Sequence, residues 1–523
     1  MVRKTEAREL RPVNPATLEP VGTVPVSAPE EVAETVADAR VAAARWAQSS
    51  FAERRALLGA VAAAVLDHAE EIAATVTAET GKPLVESYTA ELFVALDNLV
   101  WAASSAGGVL RPERVRYPQP HLRHKRGWLL YEPLGVVGVI SPWNFPFGIP
   151  FTQAAFAVAA GNAVVVKPSE LTPLSGAWVE RLFPNGLVRV VQGGGEVGEA
   201  LVRAPGTAKV VFTGSGETGR RVASLAGERL RPVTLELGGK DPMLVFEDAD
   251  LDRAVAGALW GAFANCGQVC SGVERIYVAR PLQEAFVEEL ASRARGLRIG
   301  RGEELGTELG PLITEEQRAR VEELVDDATG RGAELRLGGA RPDVDLPGWF
   351  YEPTILTGVE REARIEREEI FGPVVTVTAF GDEDEAVRLA NGSSFGLGAS
   401  VWTRDLDRAR RLARRLDAGS VWTNDVSYSY GTGQASWGGT KESGYGRTHS
   451  KHGLYELSRV KFADLDRGRV PVPWWFPYDE GVLEGFRGMA GVLYGEGVGR
   501  RLGSAWRHRR GMLALGRRYF SRL

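Results

Sequence analysis

The chain has 523 residues, 44% of them apolar and 25% charged, with a net charge of −4, so it exceeds one hydrophobic core and is expected to form two or three globular domains. With no basic excess, nucleic acid is not an expected partner. Only two cysteines, Cys266 and Cys270, and six scattered His exclude a disulfide framework and give no metal site, which points to a reducing, cytoplasmic setting.

Residues 1–20 are polar, without the apolar run of a secretory signal. Ala-rich segments with charges at helical spacing predict helices over 30–48 and 51–77, the second stopped by Gly81-Lys82-Pro83, and a further helix over 85–105. Residues 133–166 carry no charge and are long enough for a membrane span, but Pro142, Asn144, Pro146 and Pro150 inside them predict strand, active-site loop and helix. Short Val/Ile runs alternate with helical segments from 136 to 237 and again from 242 to 416. This strand–helix–strand order predicts α/β architecture, two domains with parallel sheets, joined near 236–240. The last fifty residues differ. Pro471–Pro477 breaks regular structure, and from Gly497 onward there are eight Arg and no acid. Leu502, Trp506, Leu513 and Phe520 recur at steps of four, seven and seven, as on one helix face, although the glycines there disfavour a helix.

Several residues can carry chemistry. Cys270, in Gly267-Gln268-Val269-Cys270, is either a small buried apolar residue or a nucleophile. Glu236 sits between two Leu and before Gly238-Gly239; it reads as a salt-bridged strand end or as a base whose pKa is raised by apolar surroundings. Asn144, in Pro142-Trp143-Asn144-Phe145-Pro146, is a turn residue or a rigid donor to an oxyanion. Lys167 and Glu170 follow a strand, where open α/β sheets bind ligands. Gly214-Ser215-Gly216-Glu217-Thr218-Gly219 follows a strand and opens a helix, which suits a pyrophosphate. Glu369 and Phe371 precede another strand and can hold a ribose and cover a nicotinamide.

In this order, these motifs resemble the aldehyde dehydrogenase superfamily over about 14–461, and Asn424 after Val421-Trp422-Thr423 fits as well. The resemblance implies two Rossmann-like α/β domains, a small β oligomerisation element and a C-terminal extension. The NAD-binding domain would span 1–114 and 134–238, the catalytic domain 239–445, the oligomerisation strands 115–133 and 446–470, and the extension 471–523. It implies Cys270 as nucleophile, Asn144 with the Cys270 N–H as oxyanion hole, and Glu236 as activator of the hydrolytic water. Lys167 and Glu369 would bind ribose hydroxyls. Ile140, Ser141, Trp143, Ser169, Glu170, Gly214, Ser215, Thr218, Leu237 and Phe371 would complete the cofactor site. NAD is favoured, because Glu170 repels a 2′-phosphate; Lys167 keeps NADP open. A homodimer or homotetramer is implied.

For the substrate, Phe145, Phe147, Phe151, Tyr428 and Tyr430 suggest an aromatic tunnel and a hydrophobic or aromatic aldehyde. The run Cys270-Ser271-Gly272-Val273-Glu274-Arg275 also resembles succinate-semialdehyde dehydrogenases, which stand second. A cysteine hydrolase lacks a His near either motif, and a retired scaffold is opposed by intact Cys270, Glu236 and Asn144. The tail is a solvated extension, a segment packed on the body or a neighbouring subunit, or a basic surface for anionic membrane.

Overall fold

The computed structural model describes residues 9–119, 122, 124–468, 472 and 474–520. The chain divides into two compact units, Met1–Leu110 with Glu132–Arg459, and Arg111–Tyr131 with Val460–Leu523.

The first unit contains two large sheets. Its strands are, in chain order, β1 (Val136–Ile140), β2 (Ala163–Lys167), β3 (Val188–Val190), β4 (Thr207–Thr213), β5 (Val233–Glu236), β6 (Asp241–Val245), β7 (Val273–Ala279), β8 (Glu334–Leu337), β9 (Thr354–Thr357), β10 (Val374–Phe380), β11 (Gly398–Trp402), β12 (Ser420–Thr423) and β13 (Gly444–Tyr445). The six-stranded sheet runs β13-β5-β4-β1-β2-β3 and the seven-stranded sheet β8-β9-β10-β7-β6-β11-β12. Only the edge strands β13 and β8 are antiparallel to their neighbours. Parallel sheets are covered by helices on both faces, so their strands read as unbroken apolar runs. Every residue of β1, β2, β6 and β7 is buried accordingly.

Residues 133–166 form β1, a loop, the wholly buried helix Gly148–Ala159 and β2, as their prolines predict. The expected helix over 51–77 is instead two helices, Phe51–Asp67 and Ala69–Thr80, broken at His68. Ser50 caps the first with a reciprocal Glu53 bond, and Gly81, at φ 72°, ends the second in the left-handed conformation that glycine tolerates. The segment Leu84–Val109 is one helix interrupted by a π turn at Ser87–Leu92. It is long and apolar enough to cross a membrane, yet its Ala95, Leu99, Ala102 and Ala106 pack against helices Phe51–Asp67 and Gly148–Ala159.

The second unit is built on a three-stranded sheet of Ser458–Leu465, Arg126–Pro133 and Glu113–Val115. Lys125 pairs with Asp464 at 2.7 Å. The tail is helical despite its glycines: Glu480–Tyr494, Gly497–Arg507 and Arg509–Phe520. The glycines supply close packing, since a side chain at Gly485 or Gly488 would collide with the third helix, and one at Gly491 with Ser504 of the second.

Candidate active site

Cys270 lies between helix Leu251–Phe263 and β7. Three successive residues there are left-handed, Asn265, Cys266 and Gly267, at φ 50°, 56° and 70°. Only glycine enters that region freely, so the other two need support from around them. The Asn265 N–H donates to Glu86 at 2.9 Å, and its Nδ2 donates to the carbonyls of Asn144 and Gln268, both at 3.1 Å. Gln268 Nε2 donates back to the Asn265 carbonyl at 3.0 Å. The knotted turn leaves Cys270 half-buried, packed with Tyr430 against Leu397, Trp422 and Trp437. Burial pushes its thiol above the usual range, and Glu369, Asp241 and Glu236 push it further. A neighbouring cation would reverse that trend.

Glu236 ends β5 and is buried, and neither carboxylate oxygen has a hydrogen-bond partner. Burial raises its pKa to about 8, and the Arg447 charge opposes this only in part. Two glycines follow because three motifs converge on them. A Cβ on Gly239 would run into the Cys270 carbonyl oxygen, and one on Gly238 into the Glu369 carboxylate. The Gly239 N–H donates to Glu369 at 2.9 Å.

Asn144 is buried, and its Nδ2 donates one hydrogen bond, to the Gln268 carbonyl at 3.0 Å. An amide nitrogen carries two hydrogens, so one remains for a ligand oxygen. Its backbone carbonyl accepts from Lys82 Nζ at 2.6 Å. Lys82 is fully buried and also pairs with the fully buried Glu91 at 2.7 Å. The second Glu91 oxygen accepts the N–H groups of Phe147 and Gly148, at 3.1 and 2.6 Å, where helix Gly148–Ala159 begins. A carboxylate there satisfies free donors and complements the helix dipole. Lys82 and Glu91 thus hold the loop that carries Asn144.

The expected cofactor residues gather at the carboxyl ends of β1, β2, β4 and β5, except Glu369 and Phe371, which lie in the loop before β10. Ile140 ends β1; the Ser141 N–H donates to the Lys167 carbonyl at 3.1 Å, and its buried Oγ has no partner. Lys167 ends β2 and is buried, bonded to the Gly193 carbonyl at 2.7 Å and to the half-exposed Glu170 at 3.3 Å. Burial lowers its pKa, against the pull of Glu170. Ser169 caps Leu171 through its Oγ. The Gly214 N–H donates to the Glu236 carbonyl, and Ser215 caps helix Gly216–Gly227, accepting from the Thr218 N–H at 3.3 Å. Leu237 lies over Gly219, where any Cβ would strike it, so the third glycine of the motif lets helix and strand approach closely. Phe371, at φ 55°, meets Trp143 edge to face at 5.5 Å. Glu274, paired with Lys240 at 2.6 Å, holds this loop by accepting the Ile370 and Phe371 N–H groups. An exposed capped helix terminus, an orphaned Ser141 hydroxyl and the Lys167–Glu170 pair fit a dinucleotide. Among the described residues, no group of three His, Cys, Asp or Glu could hold a metal ion.

A cavity of about 290 Å³ opens beside Cys270. Phe145, Tyr428 and Tyr430 line it, as expected. Phe147 and Phe151 do not: both are fully buried at the start of helix Gly148–Ala159, their rings tilted against each other at 5.0 Å, with Phe151 against Phe183. They stand four residues apart at the start of a helix buried all round, so a proline-rich aromatic segment that reads as tunnel is partly core. Trp260, Trp437 and Glu86 take their place in the lining. No local motif marks these three. Lys82 and Glu91 also escape local reading, although a Lys and a Glu in apolar neighbourhoods are the available signal.

Breaking the buried Lys82–Glu91 pair leaves one charge uncompensated, which costs about 3–5 kcal/mol. Lys82→Met is expected to lower unfolding free energy by about that amount in urea titration, and Lys82→Met with Glu91→Leu to recover part of it. The raised carboxylates give a second expectation. Glu236 and Asp241, both near pKa 8, stay protonated in the folded chain at pH values where the unfolded chain has released their protons. Stability therefore falls as pH rises from about 4 to about 8. The urea midpoint should be lower at about pH 8.5 than at about pH 6, and Glu236→Gln should flatten that slope.

The sequence matches the Aldehyde dehydrogenase family over residues 2–463. It is 37% identical over 493 residues to betaine aldehyde dehydrogenase 1 of Oryza sativa subsp. japonica, covering 90% of this chain and 94% of that protein. It is 38% identical over 478 residues to the betaine aldehyde dehydrogenase of Bacillus subtilis (strain 168), covering 88% and 95%. Among solved structures, the NAD+ complex of an aldehyde dehydrogenase from Bacillus cereus superposes with a TM-score of 0.84 at 35% identity, over 88% of this chain and 94% of that one. The NAD-dependent aldehyde dehydrogenase of Sinorhizobium meliloti superposes with a TM-score of 0.85 at 37% identity, over 90% and 93%. With likeness of this extent in both sequence and fold, the chain belongs to the aldehyde dehydrogenase family.

Proposed function

We propose that this protein oxidises a hydrophobic or aromatic aldehyde to its carboxylic acid with NAD, through a covalent Cys270 intermediate. The observation that carries this reading is Glu236: a buried carboxylate with no hydrogen-bond partner, in the apolar surroundings of Cys270. Leaving such a group unsatisfied is costly, and a general base has a use for it. The Cys270 thiolate adds to the aldehyde carbon, and the carbonyl pair moves onto oxygen as an alkoxide. Asn144 and the Cys270 N–H donate to that alkoxide, at about 3 kcal/mol per donor. As the alkoxide re-forms the carbonyl, the hydrogen on that carbon leaves as hydride with the C–H electron pair, and a thioester remains on Cys270. Bound NAD supplies the hydride acceptor. Glu236 takes a proton from water, the resulting hydroxide adds to the thioester, and the C–S bond breaks to free the acid and the thiolate.

The cofactor site is assigned to the six-stranded-sheet region, about 1–114 and 134–238, and the nucleophile to the region 239–445. Glu170 beside Lys167 favours NAD over NADP. The exposed Val460 and Phe462 on the strand Ser458–Leu465 support a homo-oligomer formed through that strand.

The cavity supports an uncharged, apolar substrate: five aromatic side chains and no Lys or Arg line it. An anionic semialdehyde finds no counter-charge there. Arg275, beside the nucleophile in sequence, is buried and donates to the carbonyls of Lys240, Leu389 and Ala390. A second reading is a cationic aldehyde. Glu86 in the wall supports it, as do aromatic faces that attract quaternary ammonium groups and the relatives named betaine aldehyde dehydrogenase.

NADH formation should be measured with benzaldehyde, hexanal, betaine aldehyde and succinate semialdehyde. Wild type should reduce NAD, and Cys270→Ala should not; absence of turnover on every aldehyde would leave a scaffold. Glu236→Gln should give one equivalent of NADH in a burst and then a steady rate lower by about a hundredfold or more. Benzaldehyde and hexanal should exceed succinate semialdehyde in kcat/KM by about tenfold or more. If betaine aldehyde is preferred and Glu86→Gln raises its KM alone, the cationic reading replaces the apolar one.

A further inference from the structure

The family match ends at residue 463, and the three-helix tail beyond it has no part in the chemistry above. In its second helix, Gly497–Arg507, Val498, Leu502 and Trp506 recur every fourth residue and are 73%, 65% and 71% exposed. On the third helix, Leu513 is exposed and flanked by Arg509, Arg510 and Arg517. Arg509 stacks on the Trp506 ring at 4.5 Å, which joins the two exposed faces. Near the C-terminal end of the third helix, Arg518 donates to the carbonyls of Trp475 and Pro477, holding a loop whose Trp475 and Phe476 are 66% and 80% exposed.

Within the second and third helices the charged side chains beside these apolar residues are all arginines. Arg500, Arg507, Arg510 and Arg517 are exposed and make no ion pair among the described residues. Residues 474–520 hold four acids: Asp479 caps the first helix and Glu480 opens it, Glu484 pairs with Arg487 and His508, and Glu496 precedes the second helix. Leu, Trp and Phe left in water beside unpaired Arg is the pattern of a surface that seats its apolar groups in the headgroup region while guanidiniums meet lipid phosphates. A second copy meeting this face with the same face is opposed, since Arg would stand against Arg.

We propose that the C-terminal tail docks this enzyme on an anionic lipid surface, through the Val498–Leu502–Trp506 stripe, Leu513 and the Trp475–Phe476 loop, with Arg500, Arg507, Arg510 and Arg517 on the phosphates. Docking places the enzyme where lipophilic aldehydes concentrate, but the proposal stands on the surface alone.

The test is flotation of the full-length protein with phosphatidylcholine vesicles, with and without phosphatidylglycerol, at low and high salt. Wild type should float with the anionic vesicles only and be released by salt. Gln at the four Arg positions, or Ser at Leu502 and Trp506, should weaken vesicle affinity by about tenfold or more, with NADH formation in solution unchanged to show that the variants fold. Equal flotation with both vesicle types, or none with either, overturns the proposal without recourse to a variant. So does a solution mass that falls when Leu502 and Trp506 become Ser, which would assign the face to a second copy of the chain.

Discussion

Residues Leu237 to Lys240 join the end of one parallel sheet to a central strand of the other, and the close approaches in that connection organise everything around it. Gly238 and Gly239 lie against the Glu369 carboxylate and the Cys270 carbonyl, so no side chain fits at either position. Lys240 then turns inward to Glu274, and Glu274 holds the backbone of Ile370 and Phe371. One short link therefore sets Glu236 at its beginning, Cys270 beside its glycines and the Ile370–Phe371 loop at its end. Glu236 lies at the carboxyl end of β5, whereas Cys270 and Glu369 lie just before the amino ends of β7 and β10, so groups from the carboxyl end of one sheet meet groups from the amino end of the other.

That arrangement concentrates like charge in an apolar space. Burial pushes the carboxyl groups of Glu236, Asp241 and Glu369 up to about 8, and burial first, then these carboxyls, pushes the Cys270 thiol above its usual range. Such a cluster keeps its groups protonated, and a cation bound beside it would favour their charged forms. Elsewhere the fold neutralises what it buries. Lys82 meets Glu91, Lys240 meets Glu274, and Glu79 accepts from Leu174 and Ser175 at the start of helix Pro173–Leu182. Against these partnered groups Glu236 stands buried with neither oxygen hydrogen-bonded, a cost that its proposed role as base would explain.

The tail shows how composition misleads when read locally. Glycines at Gly485, Gly488 and Gly491 argue against helix by propensity, yet they are where three helices touch. Once those contacts form, the apolar residues that do not take part in them, Leu502, Trp506 and Leu513, are left facing outward among arginines.

The sequence by itself determined the alternation of buried strands and helices, because parallel strands covered on both faces must be apolar throughout. It also determined the short motifs around Asn144, Lys167, Ser215, Glu236, Cys270 and Glu369, because each depends on a backbone conformation set within a few residues. Tertiary structure decided what those motifs touch. Lys82 reaches Asn144 across 62 positions, and Asn265 reaches Glu86 across 179. Nor could spacing separate Phe145, which lines the cavity, from Phe147 and Phe151, which lie in the core, since the helix they enter is buried on every side. Periodicity reports which face of an element is wet; where no face is wet, only packing says which side chain meets the substrate.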